Sequence, residues 1–170
     1  MGDSKNVEVS IDYLRKSAER GYPNAMTTLG KKHLTSYLGV EKDVKLAEEW
    51  LVRGLAAGAT NCHTPLYHIY RSDSEGLQDF SRAFHHIREA SKEGWPRDLR
   101  YLAEMYEHGL GVGIDLVEAT KNYYLAACQS TRKEGPEYDR LAAVAKRLEH
   151  TELAAAHAAA KDWIAKNHGI

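Results

Sequence analysis

The segment "GLGVG" places three glycines at alternate positions, Gly109, Gly111 and Gly113. A glycine run that opens a helix can cradle a phosphate, because backbone amides at a helix N-terminus point at the anion. That chemistry needs a strand before the loop and a helix after it, within a parallel sheet. Here the residues before Gly109 carry the helical apolar spacing Leu102, Met105, Tyr106 instead. Weaker versions of the loop recur at Gly39 and Gly76, where no phosphate motif exists. The glycines read as hinges between packed helices.

The nine histidines are the next candidates for chemistry. His63 and His68 do not share a helical face, and the adjacent His85 and His86 point in different directions. Glu104 and His108, four apart, have the spacing to hold one edge of a metal site. The same spacing makes an ordinary surface pair worth about 0.3 kcal/mol. No GxSxG, HExxH or P-loop occurs, and no carboxylate pair stands out for acid/base work. Cys62 and Cys128 form no CxxC and read as two small buried thiols. Neither an enzyme nor a cofactor is expected.

Composition narrows the partners. Lys plus Arg number 23 against 24 Asp plus Glu, a formal net charge of -1. That balance gives no broad electrostatic reason to expect nucleic acid or an anionic membrane. No stretch reaches 18 apolar residues, so membrane insertion is not expected. The start lacks the basic-then-apolar pattern of a secretory signal. The expectation is a cytoplasmic protein, or a periplasmic one if a leader was removed.

The chain is organised by an internal repeat. "SIDYLRKSAERG", "AEEWLVRGLAAG", "AFHHIREASKEG" and "ATKNYYLAACQS" begin at Ser10, Ala47, Ala83 and Ala119. Four residues before each start stands a helix-capping type: Asn6, Asp43, Asp79 and Asp115. Asp115 has Glu118 three residues on, the pattern of a capping box. Gly21, Gly58 and Gly94 close three of the segments in the left-handed conformation that ends helices, and Ser130 stands in the fourth. Leu14, Leu51, Ile87 and Tyr123 share one offset, while Ser17, Gly54, Ala90 and Ala126 share a uniformly small one that admits a close neighbour. A second helix fits between copies, marked by Leu29 with His33, Leu66 with Tyr70, and Leu102 with Tyr106. Pro23 and Pro96 lie near the starts of two of these, where a missing amide costs least. Strand signals are almost absent.

"LAEMYEHGLGVGIDLVEATKNYYLAAC" resembles a Sel-one-like repeat, a relative of the tetratricopeptide repeat. The match lies at Leu102, Tyr106, Gly109, Gly111, Val112, Asp115, Ala119, Tyr123, Ala126 and Ala127. The copy from Leu29 supplies Gly30, Gly39, Val40, Asp43, Ala47, Trp50, Leu51 and Gly58 as well. The middle copy is degenerate, keeping Gly76 and Asp79 with one residue fewer in its loop. The resemblance covers residues 6–130. It implies an all-α fold: a right-handed α-solenoid of stacked helix-turn-helix repeats with a C-terminal capping helix pair. The expected organisation is one domain, 1–170, with repeats over 6–130 and capping helices over 131–170.

Both ends depart from the pattern. The first helix, about Val7 to Arg20, is the second half of a unit whose first half is missing. Glu8, Asp12, Lys16 and Glu19 on its outer face favour a working cap over a chain cut from a longer one. After the polar "STRKEGPEYDR", one helix is expected over Glu137 to Glu149, and another from a Thr151 cap to Lys166. Leu153, Ala156, Ala160, Trp163 and Ile164 form its apolar stripe, which either seals the last repeat or docks a partner.

The resemblance also implies where a partner binds, since the first helices of tetratricopeptide-like stacks line the concave side. Counting from each closing glycine gives Asn24, Thr27, Lys31 and Leu34; then Asn61, Thr64, His68 and Arg71; then Arg97, Arg100, Glu104 and Glu107, with Tyr101 beside them. Cations and asparagines in that mixture suit an extended or acidic polypeptide segment. The implied function is a non-catalytic protein-interaction scaffold or adaptor. An immunity protein that blocks a secreted bacterial toxin and a structural spacer in a larger assembly stay open beside it. The repeat register itself is testable: Asp115→Ala is expected to cost about 1 kcal/mol through the lost cap. Gly58→Val should cost more, because a β-branched residue resists a left-handed backbone; thermal melts that leave both changes neutral would overturn the register.

Overall fold

A computed structural model describes residues 3–37, 40–73, 75–129 and 136–168. Every regular element among them is helical. The chain divides into two compact units, 1–79 and 80–170. The first holds α1 (Asp3–Glu19), α2 (Pro23–Thr35), α3 (Val44–Ala56) and α4 (His63–Arg71). The second holds α5 (Phe80–Ala90), α6 (Pro96–His108), α7 (Leu116–Gln129), α8 (Pro136–Ala145) and α9 (His150–His168). The all-α fold of repeated helix pairs expected from the sequence is what forms.

Helix ends follow the predicted chemistry closely. Gly21, Gly58 and Gly94 have φ of 90°, 93° and 77°, the left-handed backbone that lets each helix stop. Asp43 and Asp115 cap α3 and α7, accepting from the amides of Leu46 at 2.8 Å and Glu118 at 2.9 Å. Pro23 and Pro96 open α2 and α6. Two cap assignments need correction. α1 already begins at Asp3, so Asn6 lies inside the helix rather than at its edge. α9 begins at His150 with the Glu149 amide bonded to Glu152, so Thr151 is not its cap.

The capping box at Asp115 is half formed. Its amide, which Glu118 would have to claim, donates to the Tyr106 carbonyl at 3.0 Å. The Glu118 carboxylate pairs with Lys121 instead. The same backbone bond closes the other loops: Asp43 donates to His33 at 3.0 Å, and Asp79 to Tyr70 at 2.8 Å. These closures span ten, nine and nine positions in chain order. The first loop is therefore the long one, and the degenerate middle copy matches the last.

Packing within a pair depends on small residues. A Cβ on Gly30 of α2 would stand 2.7 Å from Leu51 Cγ and 3.1 Å from the Ala47 carbonyl of α3. In the second unit Ala103 of α6 packs on Ala119 and Tyr123 of α7, with Val144 of α8 beside them. Gly111 is a hinge, as read: at φ 70°, a Cβ there would lie 2.0 Å from the Phe80 carbonyl oxygen. α9 covers α7 and α6 through Ala160, Trp163 and Ile164 on Leu99, Leu125 and Ala126. The sealing role of its stripe holds. α8 ends at Ala145, four residues short of the expected Glu149. Ser130 and Gly135 of the connector fall outside the described residues, as does Gly39.

Glu107 ties three elements of the second unit together. It is buried, and it accepts from the Tyr123 hydroxyl at 2.8 Å and from Arg147 at 3.5 Å, with Arg140 at 3.8 Å. Burial first, then the Glu107 bond, push the Tyr123 hydroxyl far above its ordinary pKa. Removing only the donor strands a buried carboxylate. Tyr123→Phe should therefore cost about 2 kcal/mol, whereas Tyr124→Phe, half-buried beside it, should cost little. Urea melts of the two variants test this, and equal, small losses would mean that Glu107 is satisfied without Tyr123.

Candidate partner-binding surface

In the first unit the expected face is built from α2, α4 and the 3-10 turn Thr60–Cys62. Asn24 and Lys31 are exposed on α2, one helical face apart from its buried stripe of Met26, Leu29 and His33. Asn61 and His68 are exposed as well, while Thr64 and Arg71 are half-buried. The His68 ring lies 5.0 Å from that of Tyr67, tilted by 58°, and the Arg71 guanidinium lies 5.9 Å from the same tyrosine ring. Leu34 and His68 share one groove of about 200 Å³ with Lys42, Val44, Ile69 and Ser72. Of the predicted positions, Leu34 of α2 and His68 of α4 line this one groove.

Thr27 departs from the expectation. It is 1% exposed, with its Oγ1 3.0 Å from the Pro23 carbonyl, 3.1 Å from Asn61 Oδ1 and 3.0 Å from Cys62 Sγ. The hydroxyl is consumed by the core, where a threonine can back-bond to the carbonyl four residues earlier. It anchors Asn61 rather than meeting a partner. The counting placed it outside because the true exposed stripe of α2 runs through Asn24, Thr28 and Lys31.

The second unit presents Arg97, exposed, with its Nε 3.3 Å from the buried Asp98. Arg100 Nη1 lies 2.8 Å from Glu104 Oε1, both half-buried, and its guanidinium sits 4.6 Å from the centre of the Tyr101 ring. Arg100 and Glu104 therefore answer each other. Glu107, the last position counted onto this face, is turned into the core.

Two surface residues escaped the sequence reading. Tyr22 and Trp95 are both largely exposed, each standing between a closing glycine and the proline that opens the next helix. Their carbonyls receive the first amides of α2 and α6, at 3.1 Å for Met26 and 3.0 Å for Leu99. The backbone demands that position; the aromatic side chain is not used by it. The recurrence of "GYP" and "GWP" was the available signal.

The cysteines divide. Cys62 is buried and Cys128 exposed, contrary to two buried thiols. Burial pushes the Cys62 thiol above its ordinary pKa, with Thr27 and the Lys31 charge pulling partly back. Among the described residues no group of three or more His, Cys, Asp and Glu gathers as for a metal, and no helix is long and apolar enough to cross a membrane.

Comparison with known proteins follows this geometry. The Sel1 repeat model matches residues 1–22, 23–58, 67–95 and 97–130. The chain superposes on a Sel1 repeat protein from Oxalobacter formigenes with a TM-score of 0.63 at 26% identity, covering 79% of this chain and 98% of that one. It also matches a protective antigen of uropathogenic Escherichia coli with an SLR fold, at a TM-score of 0.51 and 22% identity over 90% of this chain and 40% of that one. An uncharacterised protein of Neisseria meningitidis serogroup B is 26% identical over 129 residues, 76% of this chain. The chain spans about a quarter of that relative's length, 26%. From the site itself comes one direct expectation: at pH 8, a thiol reagent should modify Cys128 within minutes and leave Cys62 unreacted until the fold is denatured. Two fast thiols per chain would show that the Thr27 contact region opens readily.

Proposed function

The chain belongs to the Sel1 repeat family, whose members serve generally as non-catalytic protein-interaction scaffolds, and we propose that it holds a partner polypeptide against the exposed face of its first-of-pair helices. That face is the concave side in tetratricopeptide-like stacks. The observation that carries the reading is the groove of the first unit: Leu34, Val44 and Ile69 give it an apolar floor, with Lys42 and His68 among its lining residues. Lys31 and Arg71 extend its positive character. An extended segment with acidic residues flanking one aliphatic side chain fits that combination. Tyr22, on the same unit, adds exposed aromatic surface of the kind that commonly anchors protein contacts.

The test compares wild type with a Lys31→Glu, His68→Glu double variant as bait, read by mass spectrometry and then by titration of the captured protein. Both substitutions are on exposed positions, so the variant should keep the wild-type melting temperature. The expected result is a partner that binds wild type in a salt-sensitive way and at least tenfold more weakly to the variant, about 1.4 kcal/mol. A partner held equally by both baits moves the contact off this face. One enzyme captured in a fixed ratio and inhibited would specify the immunity role, while several weak partners would specify an adaptor.

A further inference from the structure

The groove of the first unit lies where the residues opening α3, Lys42 and Val44, meet the end of α4 at His68, Ile69 and Ser72. The same construction recurs in the second unit. There the residues opening α7 meet the turn between α8 and α9, and a groove of about 320 Å³ lies between them. Aligning the capping aspartates, Asp43 with Asp115, puts Ile114 in the place of Lys42 and Leu116 in the place of Val44. The floor is again aliphatic: Leu116, Val117 and Leu148 are half-buried, and Ile114 beside them is 66% exposed. Both walls are held by the backbone. α6 stops at Gly109 with φ 67°, and a Cβ there would lie 2.9 Å from Ile114 Cγ1, so the isoleucine rests against a bare glycine. In the other wall the Arg147 amide donates to the Val144 carbonyl at 2.9 Å, and the Leu153 amide to the Glu149 carbonyl at 2.9 Å.

What differs between the two grooves is the charge. The first carries Lys42 and His68; the second carries Asp115 and Glu152, with Arg147 as its cation. Arg147 is already answered, because its Nη1 lies 3.5 Å from Oε1 of the buried Glu107. Asp115 and Glu152 each spend one oxygen on a backbone amide, those of Glu118 and Glu149, both at 2.9 Å. Among the described residues neither carboxylate forms an ion pair. We propose that this groove binds a lysine- or arginine-bearing extended segment of a partner polypeptide, with the cationic head at Asp115 and Glu152. Such side chains lay an aliphatic stem on apolar surface while the charged head stays in water. Leu116, Val117 and Leu148 supply that surface, and the two carboxylates supply the counter-charge. The volume of about 320 Å³ stands at the lower end of ligand clefts, about 300 Å³. It admits side chains rather than a helix about 10 Å across. None of these residues belongs to the groove between Leu34 and His68, and the two surfaces select opposite charges.

The probe is a short fluorescent peptide that alternates leucine and isoleucine with lysine and arginine. It is titrated into the full isotope-labelled chain beside a control carrying glutamate and aspartate at the basic positions. Anisotropy gives the affinity and amide NMR signals give the place. Saturable one-to-one binding of the basic peptide is expected, with the signals of Ile114 to Val117 and Leu148 to Glu152 moving most. Ile114→Lys gives this groove the residue type of Lys42 and should weaken binding about tenfold. Glu152→Gln keeps an oxygen for the Glu149 amide and should weaken it about threefold, the scale of one exposed ion pair. Both positions are exposed, and circular dichroism checks that the variants fold. The Lys31→Glu, His68→Glu variant should bind the basic peptide as wild type does, which separates this groove from the first. No saturable binding, or binding that moves signals elsewhere, overturns the proposal. So does an acidic peptide that moves the same signals with equal affinity, which would give the site to Arg147. Movement of those signals on concentrating the free chain overturns it in favour of a second copy.

Discussion

One backbone hydrogen bond, repeated three times, sets the geometry on which the other contacts rest. The amide of the aspartate that opens each second helix returns to the carbonyl of the residue marking the end of the first: Asp43 to His33, Asp79 to Tyr70, Asp115 to Tyr106. An uncompensated backbone group in such a place costs about 1–3 kcal/mol, so the loop has one strongly preferred closure. Asp43 and Asp115 turn their carboxylates the other way, onto amides of their own helix. A single residue thereby finishes one helix and starts the next. Once that closure is made, the register of the pair follows, and Gly30 meets Leu51 while Ala103 meets Tyr123.

This explains which parts of the fold were legible in the sequence. Capping residues, closing glycines and small packing positions act locally, so their types and spacing carry most of the information about the helices. The capping box failed at Asp115 for a non-local reason. Its amide had a competitor, the Tyr106 carbonyl, that no pattern within the helix reveals. Thr27 failed in the same way: a threonine near a helix N-terminus looks solvated until Asn61 and Cys62, from the next pair, arrive beside it. Glu107 reads as a surface acid by its spacing, and the Tyr123 hydroxyl, with Arg140 and Arg147 from the C-terminal segment, offsets its burial.

The surface has a different logic from the core. Core positions repeat because each copy must meet the same neighbour, whereas the outward position held by Lys31 in α2, His68 in α4 and Glu104 in α6 carries three different residue types. In α6 the charges are arranged in internal pairs, Arg97 with Asp98 and Arg100 with Glu104, and a charge so paired has less to offer a partner. Lys31 and His68 stand on a face whose groove has an apolar floor. Such differences between copies, laid over an invariant core, allow one scaffold to be specific. They are also why residue spacing alone does not rank the residues on such a face.

The second helices α1 and α7 meet the problem of an open flank in opposite ways. On the far side of α7 the chain spends two further helices: Ala160 seats on Leu125 and Ala126, and Trp163 reaches Gly94 so closely that a Cβ there would lie 2.8 Å from its ring. That glycine is thus required twice, for its left-handed backbone and for the indole that lies on it. α1 receives nothing comparable among the described residues. Its charged side, with Asp12 and Lys16 paired at 2.7 Å, is built for water, but Tyr13 and Val9 on the neighbouring side are not. The corresponding positions of α3 and α7, Trp50 and Asn122, are covered within their own pairs, so the same register holds a packed side chain there and a solvated one in α1.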